Sequence, residues 1–457
     1  MKRQLTFLLA ILWLYRPVTG HTQDRLTSFI DSLMTAELKP DRPGGVVLVA
    51  KKGKIVYEKA FGMADLQYNI PMRDDMVFQI GSNTKQFTAV AILQLYEKGK
   101  LSLDDTLGKY LSCSPPVGAI TIRQLLAQTS GLLEDDRAPS FDLKDRKDLT
   151  DREKQVYPSL NASLRFTPGT RWEYCNQNYQ ALGVIIEKVT GRGYGDYITE
   201  NIFQPAGMTH TYMSKEQSIV PGRATGYFIR LNGEVRNWIG THPDKIYAAG
   251  GIESTVEDMF RWNRALKAGI LLKSATLQEA WTAQRLADGR STGYGLGWNV
   301  DSLHDSPVLR HGGGTPGFCS ETLFFPREDV FVVFLQNAYP NPTAHTAMSR
   351  LISGVAIGKP YDFMPVPIHN DSLQRYTGRY ALKGHPDNTL AMIAEKDTLF
   401  IQMPDGHRAN MTYMGHGEFR FETYWWVQFT TDTSGKMDGL IRRRLDLYPD
   451  SFTRISD

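Results

Sequence analysis

The apolar positions change period several times along the chain, and each change predicts an element. Gly45-Val46-Val47-Leu48-Val49-Ala50 and Ile55-Val56-Tyr57 flank the polar turn Lys51-Lys52-Gly53-Lys54. β-Branched residues on both sides of a glycine-containing turn predict an antiparallel hairpin. From Ser82 to Lys98 the period becomes helical: Phe87, Val90, Ala91 and Leu95 share one face, and Gly99 is placed to stop the helix. A second helix is expected after a Thr121 cap, with Ile122, Leu125 and Leu126 as its apolar side. A third is expected from Tyr179 to Val189, ending at Gly191. After Pro326, Val330-Phe331-Val332-Val333-Phe334-Leu335 is continuously apolar, as a strand buried on both faces should be.

Between the second and third helices, Glu134 to Lys154 is dense in charge of both signs. It reads as a solvated surface insertion, with a lid beside an active site as the sharper alternative. The proline-rich stretch from Lys359 to Pro367 reads as a linker. Beyond it, residues 368–457 read as short strands divided by turns such as Pro404-Asp405-Gly406 and Ser434-Gly435-Lys436. A small, separate all-β module is expected there. Arg442-Arg443-Arg444 reads as a solvated strand edge, because no wider basic surface accompanies it.

Composition narrows the function classes. The chain has 457 residues, 41% hydrophobic and 22% charged, close to the average for a globular protein. That argues against disorder, collagen-like repeats and a polytopic membrane protein, and leaves room for two or three domains. Basic and acidic residues number 52 and 49, a net charge of +3, without a long single-sign block. Nucleic-acid binding through counterion release needs a concentrated basic face, so none is expected. Lys2 and Arg3, the mostly apolar run Leu5 to Tyr15, and the small residues Val18-Thr19-Gly20 read as a removable secretory leader over 1–20. That leader predicts a periplasmic or secreted protein without a stable membrane span after cleavage. Three cysteines, Cys113, Cys175 and Cys319, are too few for a disulfide scaffold.

Two motif matches fail on context. Gly289-Arg290-Ser291-Thr292-Gly293 has the form of a nucleophile elbow but lacks the apolar strand before it and the helix after it. Gly312-Gly313-Gly314-Thr315-Pro316-Gly317 has the form of a dinucleotide fingerprint, but Pro316 denies it a phosphate-binding helix. No His-Glu-x-x-His or paired-cysteine motif points to a metal, and no cofactor is expected.

A third constellation fits its context. Ser82-Asn83-Thr84-Lys85 opens the first long helix, and a spacing of three puts Ser82 and Lys85 on one face. A serine hydroxyl is a weak nucleophile until a neighbour takes its proton, and a partly desolvated lysine can do so. Downstream, Tyr174-Cys175-Asn176 precedes the third helix. Alternation in an extended tripeptide turns Tyr174 and Asn176 to one side and Cys175 to the other. His311-Gly312-Gly313 then offers a hydrogen-bonding or cationic side chain and a bare backbone edge.

These three motifs, in this order, resemble the serine β-lactamase and penicillin-binding-protein superfamily, particularly its class C-like branch of β-lactamases, D,D-peptidases, D-aminopeptidases and esterases. Gly99-Lys100-Leu101-Ser102-Leu103-Asp104-Asp105, Leu125-Leu126-Ala127-Gln128-Thr129-Ser130-Gly131-Leu132, Gly250-Gly251-Ile252 and Arg310 to Phe318 extend the resemblance from about Leu26 to Asn337. It implies an α/β (α+β) fold: an antiparallel sheet flanked by helices, with a helical subdomain. The expected organisation is a hydrolase domain over 24–358, a linker over 359–367 and a β-barrel-like domain over 368–457.

The resemblance also implies roles. Ser82 matches the acylated nucleophile, Lys85 its proton acceptor, and Tyr174 a proton shuttle between nucleophile, leaving group and water. Asn176, His311 and Gly313 match substrate-binding positions, and the backbone N–H groups of Ser82 and Gly314 match the oxyanion hole. His311 stands where many relatives carry lysine, which weakens a fixed positive charge for a substrate carboxylate. The expectation therefore moves from classical β-lactamase activity toward peptidase, aminopeptidase or esterase chemistry. The expected substrates are D-amino-acid-containing peptides or esters, with cell-wall material as one source. A β-lactamase or carboxylesterase of the same fold, and a binding or sensing module without turnover, are the alternatives.

Overall fold

The structure is a computed structural model that describes residues 22–134, 148, 150–214, 219–230, 234–238, 246–339, 342–360, 367–415, 417–421, 425–444 and 450–456. The leader over 1–20, most of the charged insertion and the middle of the linker lie outside the described residues. The chain divides into two compact units, Glu37–Asn341 and Met1–Ala36 with Pro342–Asp457.

The larger unit is built on one six-stranded sheet. Strands β1 (Gly45–Lys51) and β2 (Lys54–Phe61) form the hairpin that their sequences predict. Lys52 and Gly53 both have positive φ, 50° and 72°, which lets a two-residue turn follow the right-handed twist of its strands. Strands β3 (Asn299–Leu303), β4 (Ser306–Thr315), β5 (Phe318–Phe325) and β6 (Val330–Gln336) complete the order β3-β4-β5-β6-β1-β2, antiparallel throughout. β6 is buried along its whole length and β1 over Gly45–Ala50, which accounts for their unbroken apolar sequences. β3 pairs only with Ser306–Arg310 of β4, so His311–Thr315 have no β3 partner on that side. The expected bare edge exists, and it belongs to the half of β4 that carries the glycines.

Helix α1 (Thr84–Glu97) departs from the amphipathic pattern expected of it. Every residue from Thr84 to Leu95 is buried, not one face alone. Its polar residues are tolerated because each finds a partner. Gln86 accepts from Trp262 Nε1, Thr88 donates to the Ala248 carbonyl, and Gln94 donates to the carbonyls of Asn201 and Leu271. Phe87 stacks on Trp262 of helix α5 (Val256–Lys267), with ring centroids 4.0 Å apart, and α5 packs on β1 and β6.

Helix α2 (Ile122–Leu126) starts at Thr121 with a complete capping box to Gln124. Helix α3 (Asp151–Leu160) begins inside the charged stretch, under a second capping box between Thr150 and Glu153. Helix α4 (Asn176–Thr190) starts three residues earlier than its apolar period indicates, so Asn176 is its first residue.

The C-terminal residues form a closed antiparallel barrel of eight consecutive strands: β7 (Gly378–Leu382), β8 (His385–Glu395), β9 (Thr398–Gln402), β10 (Arg408–Gly415), β11 (Glu418–Phe421), β12 (Trp425–Thr431), β13 (Met437–Arg444) and β14 (Asp450–Ser456). Its interior packs Tyr376, Tyr380, Phe419 and Phe429 against one another at centroid distances from 4.8 to 5.7 Å. The expectation that Arg442–Arg444 form a strand edge is corrected at Arg442. In the closed barrel Arg442 is no edge residue, for it pairs with Val427 on one side and Asp450 on the other.

Asn337, just past β6, ties three segments of the larger unit together. It is fully buried; its Oδ1 accepts from Gly44 N at 2.7 Å, and its Nδ2 donates to the carbonyls of Met63, Ala64 and Thr225. Asn337→Ala strips these buried groups of their partners, so we expect a loss of about 1–3 kcal/mol. The shift in the denaturant midpoint of the larger unit measures it; an unchanged midpoint would contradict this account.

Candidate active site

The position of Ser82 is set by a tight turn, Gly81–Asn83, that runs directly into α1. Gly81 adopts φ +50°, and a side chain there would press on the backbone of Gly314 at 2.9–3.1 Å. Strand β5 holds the turn from below. Ser320 Oγ donates to the Ile80 carbonyl at 2.7 Å and accepts from Asn83 Nδ2 at 2.8 Å, and Thr322 Oγ1 donates to Asn83 Oδ1 at 2.8 Å. Ser82 is thus carried on a turn whose neighbours on both sides are pinned to the sheet.

Lys85, one helical turn on, is fully buried. Its Nζ lies 3.2 Å from Ser82 Oγ, 2.7 Å from Asn176 Oδ1 and 2.8 Å from the Ala249 carbonyl. The rings of Tyr174 and Tyr179 face the amine at 4.7 and 5.6 Å. Burial disfavours the ammonium and pulls the Lys85 pKa down to about 7, against the opposing pull of the Glu134 carboxylate. Tyr174 O–H donates to Ser82 Oγ at 2.7 Å, and burial pushes its own pKa well up, so it stays a proton donor.

The extended Cys175 (φ −148°, ψ 122°) separates the side chains as the alternation predicts. Tyr174 reaches Ser82 and Asn176 reaches Lys85, while Cys175 is buried. Asn176 was expected to hold a substrate amide; here both ends of its own amide are engaged, with Lys85 and with Glu134.

His311 faces the same cluster, its ring centroid 6.5 Å from that of Tyr174. Nδ1 lies 2.7 Å from the Gly312 carbonyl, which can only accept, so Nδ1 carries the proton. Nε2 then accepts from Tyr294 O–H at 3.0 Å. Burial, with the nearby Lys85 charge, lowers the His311 pKa to about 3. The ring is a neutral spacer, which sharpens the expected loss of a fixed charge into its absence from this position. Gly313 and Gly314 follow on the half of β4 that has no β3 partner, and Gly313 sits against the Ile80 carbonyl.

Ser82, Lys85, Tyr174, Asn176, His311, Gly313 and Gly314 are therefore gathered at one place. Sequence reasoning missed three participants. Glu134 was assigned to the charged insertion, although it follows Ser130-Gly131-Leu132 by two residues and so belongs to that supporting segment. Tyr294 lies in the stretch set aside with the false nucleophile elbow. Ala249 contributes only its carbonyl, which carries no side-chain signal. Among the described residues no group of three or more His, Cys, Asp or Glu is placed to hold a metal, and no helix is long and apolar enough to cross a membrane.

An antiparallel sheet with a Ser-x-x-Lys helix against its glycine-bearing strand defines a serine hydrolase of β-lactamase and penicillin-binding-protein type. The chain belongs to the β-lactamase family, whose model matches residues 26–356. A penicillin-binding protein of Bacillus subtilis (strain 168) is 30% identical over 383 residues, 79% of this chain and 83% of that protein. The octameric penicillin-binding protein homologue from Pyrococcus abyssi superposes with a TM-score of 0.63 at 22% identity, over 94% of this chain and 99% of that one. A D-stereospecific amidohydrolase from Streptomyces sp. superposes with a TM-score of 0.58 at 29% identity, over 68% of this chain and 94% of that one.

A methyl group added at Gly313 would stand 2.0 Å from the Ile80 carbonyl oxygen and 2.4 Å from Ser320 Oγ. Gly313→Ala must therefore push β4 away from the nucleophile turn. We expect acylation of Ser82 by an ester probe to slow at least about a hundredfold, as displacements near 1 Å do at reacting centres. Labelling at the wild-type rate would show that this contact does not position the site.

Proposed function

We propose that the protein hydrolyses D-amino-acid-containing peptides, amides or esters through an acyl-enzyme on Ser82. The observation that carries this reading is the pair of contacts on Ser82 Oγ: a buried amine on one side and a buried phenol on the other. A neutral Lys85 has two N–H bonds and one lone pair. The N–H bonds match its two shorter contacts, to Asn176 Oδ1 and the Ala249 carbonyl, which leaves the lone pair for the Ser82 proton.

In this reading Ser82 Oγ attacks the substrate carbonyl as its proton passes to Lys85 Nζ. The backbone N–H groups of Ser82 and Gly314 receive the developing oxyanion. Tyr174 O–H gives a proton to the leaving nitrogen or oxygen as its bond to the carbonyl carbon breaks, and Lys85 returns a proton to Tyr174. Water then takes the place of the leaving group, the same groups act in reverse, and Ser82 is freed. His311, Gly313 and the unpaired edge of β4 line the substrate side.

Support for D-amino-acid substrates is of two kinds. The Streptomyces neighbour is a D-stereospecific amidohydrolase. The neutral His311 provides no fixed cation for the carboxylate of a β-lactam or a peptide terminus. Export to the periplasm or medium is part of the proposal and rests on the leader-like start of the chain.

Since Lys85 accepts a proton only when neutral, ester turnover should be low in acid and rise through about pH 7 to a plateau. His311, held near 3, does not titrate in that window. Ser82→Ala should abolish covalent labelling and reduce turnover by a factor of roughly a thousand or more. Undiminished hydrolysis by that variant would defeat the assignment. A permanent Ser82 adduct without turnover, seen by mass spectrometry, would replace the enzyme with a sensor.

A further inference from the structure

Glu134 stands behind Asn176 as seen from Lys85. Its Oε2 accepts the backbone N–H of Asn176 at 2.7 Å, and its Oε1 accepts Nδ2–H at 2.6 Å. The Cys175 thiol also hydrogen-bonds this carboxylate. An asparagine amide has a donor end and an acceptor end that exchange on a half-turn of its terminal bond. With Nδ2 held by a carboxylate, only Oδ1 is left to face Lys85. The reversed amide would set its N–H bonds against those of Lys85 and its oxygen against the carboxylate.

The second consequence is charge. Among the described residues, the groups around Lys85 are Ser82 from the turn before α1, Glu134 from the segment after α2, Tyr174 and Cys175 from the segment before α4, Asn176 and Tyr179 from α4, the Ala249 carbonyl, and His311 from β4. Burial keeps Tyr174, Tyr179 and Cys175 protonated and His311 neutral. The carboxylate in this set is Glu134.

We propose that Glu134 is a positioning residue that turns Asn176 toward Lys85 and supplies the negative charge against which Lys85 titrates. The proposal rests on the reading of Lys85 as the proton acceptor of Ser82. It explains why a fully buried amine has a carboxylate near it that never touches it. A direct ion pair would lock Lys85 as an ammonium, whereas one asparagine between them passes on orientation and only part of the charge.

The test is the pH dependence of Ser82 acylation by a chromogenic ester, measured in full-length protein for wild type, Glu134→Gln and Glu134→Asp. Glutamine keeps the size of the side chain and removes its charge, so Lys85 becomes easier to deprotonate. The rising limb should move to lower pH by about one unit, as expected for loss of a nearby opposite charge. The plateau should fall roughly tenfold, because one of the two bonds that orient Asn176 is lost. Aspartate keeps the charge, and its limb should stay at the wild-type position while its plateau falls. A merely structural role would lower both plateaus and move neither limb.

A folded Glu134→Gln with its limb at or above the wild-type position overturns the proposal, as does an aspartate variant whose limb moves with that of glutamine. If the glutamine variant does not accumulate folded, Glu134→Ser removes the same charge and is read by the same criterion. Failure of the underlying reading looks different: wild type itself would show no limb near pH 7 or no label on Ser82.

Discussion

One buried amine governs the larger unit. Lys85 is shut away from water, and an ammonium there is costly unless every proton finds an acceptor. Three acceptors are supplied, from the preceding turn, from the start of α4 and from the backbone at Ala249. Losing one proton leaves two good hydrogen bonds and a lone pair facing Ser82. The site is therefore balanced between two protonation states by geometry, and much of the surrounding structure exists to hold those acceptors in place.

That requirement accounts for features that look wasteful locally. Helix α1 is buried on all sides and carries polar residues inward, each with a partner. The turn before it needs a glycine at positive φ, because the backbone of Gly314 passes too close for a side chain. Gln128, also at positive φ, accepts from Cys175 N at 3.0 Å and Asn178 Nδ2 at 2.5 Å, fixing the entry of α4. Tyr247, with φ 46°, donates to Glu187 and begins the short turn that ends at the Ala249 carbonyl. Backbone strain of this kind persists only where surrounding contacts over-determine it. Here those contacts converge on the acceptors of one amine.

The legibility of the site followed the strength of local signals. Ser82 and Lys85 share a helical face by spacing alone, and Tyr174 and Asn176 share a side by strand alternation, so both pairs were readable. Glu134 was not. Its residue type fitted the charged stretch it opens, and its role depends on a contact across 42 residues. Tyr294 was hidden because its segment has no period and its partner, His311, lies 17 residues on, in β4. His311 was legible as a residue at the site but not as a neutral one, since neutrality comes from burial and from the nearby Lys85 charge. The all-β character of the C-terminal module was readable from its turns; its closure was not, because closure depends on β7 meeting β14, the strands farthest apart in sequence.

By itself, the sequence determined the strands, the helices, the order of the motifs and the chemistry they can support. Those properties are local: they follow from side-chain period, caps and turn residues within a few positions. Tertiary structure decided which of these groups meet, which of them lose their water, and hence which are charged. Protonation depends on desolvation and on neighbours many residues away, and neither is encoded at any single position. The lysine was visible in the chain, but only the fold took its water away and lowered its pKa.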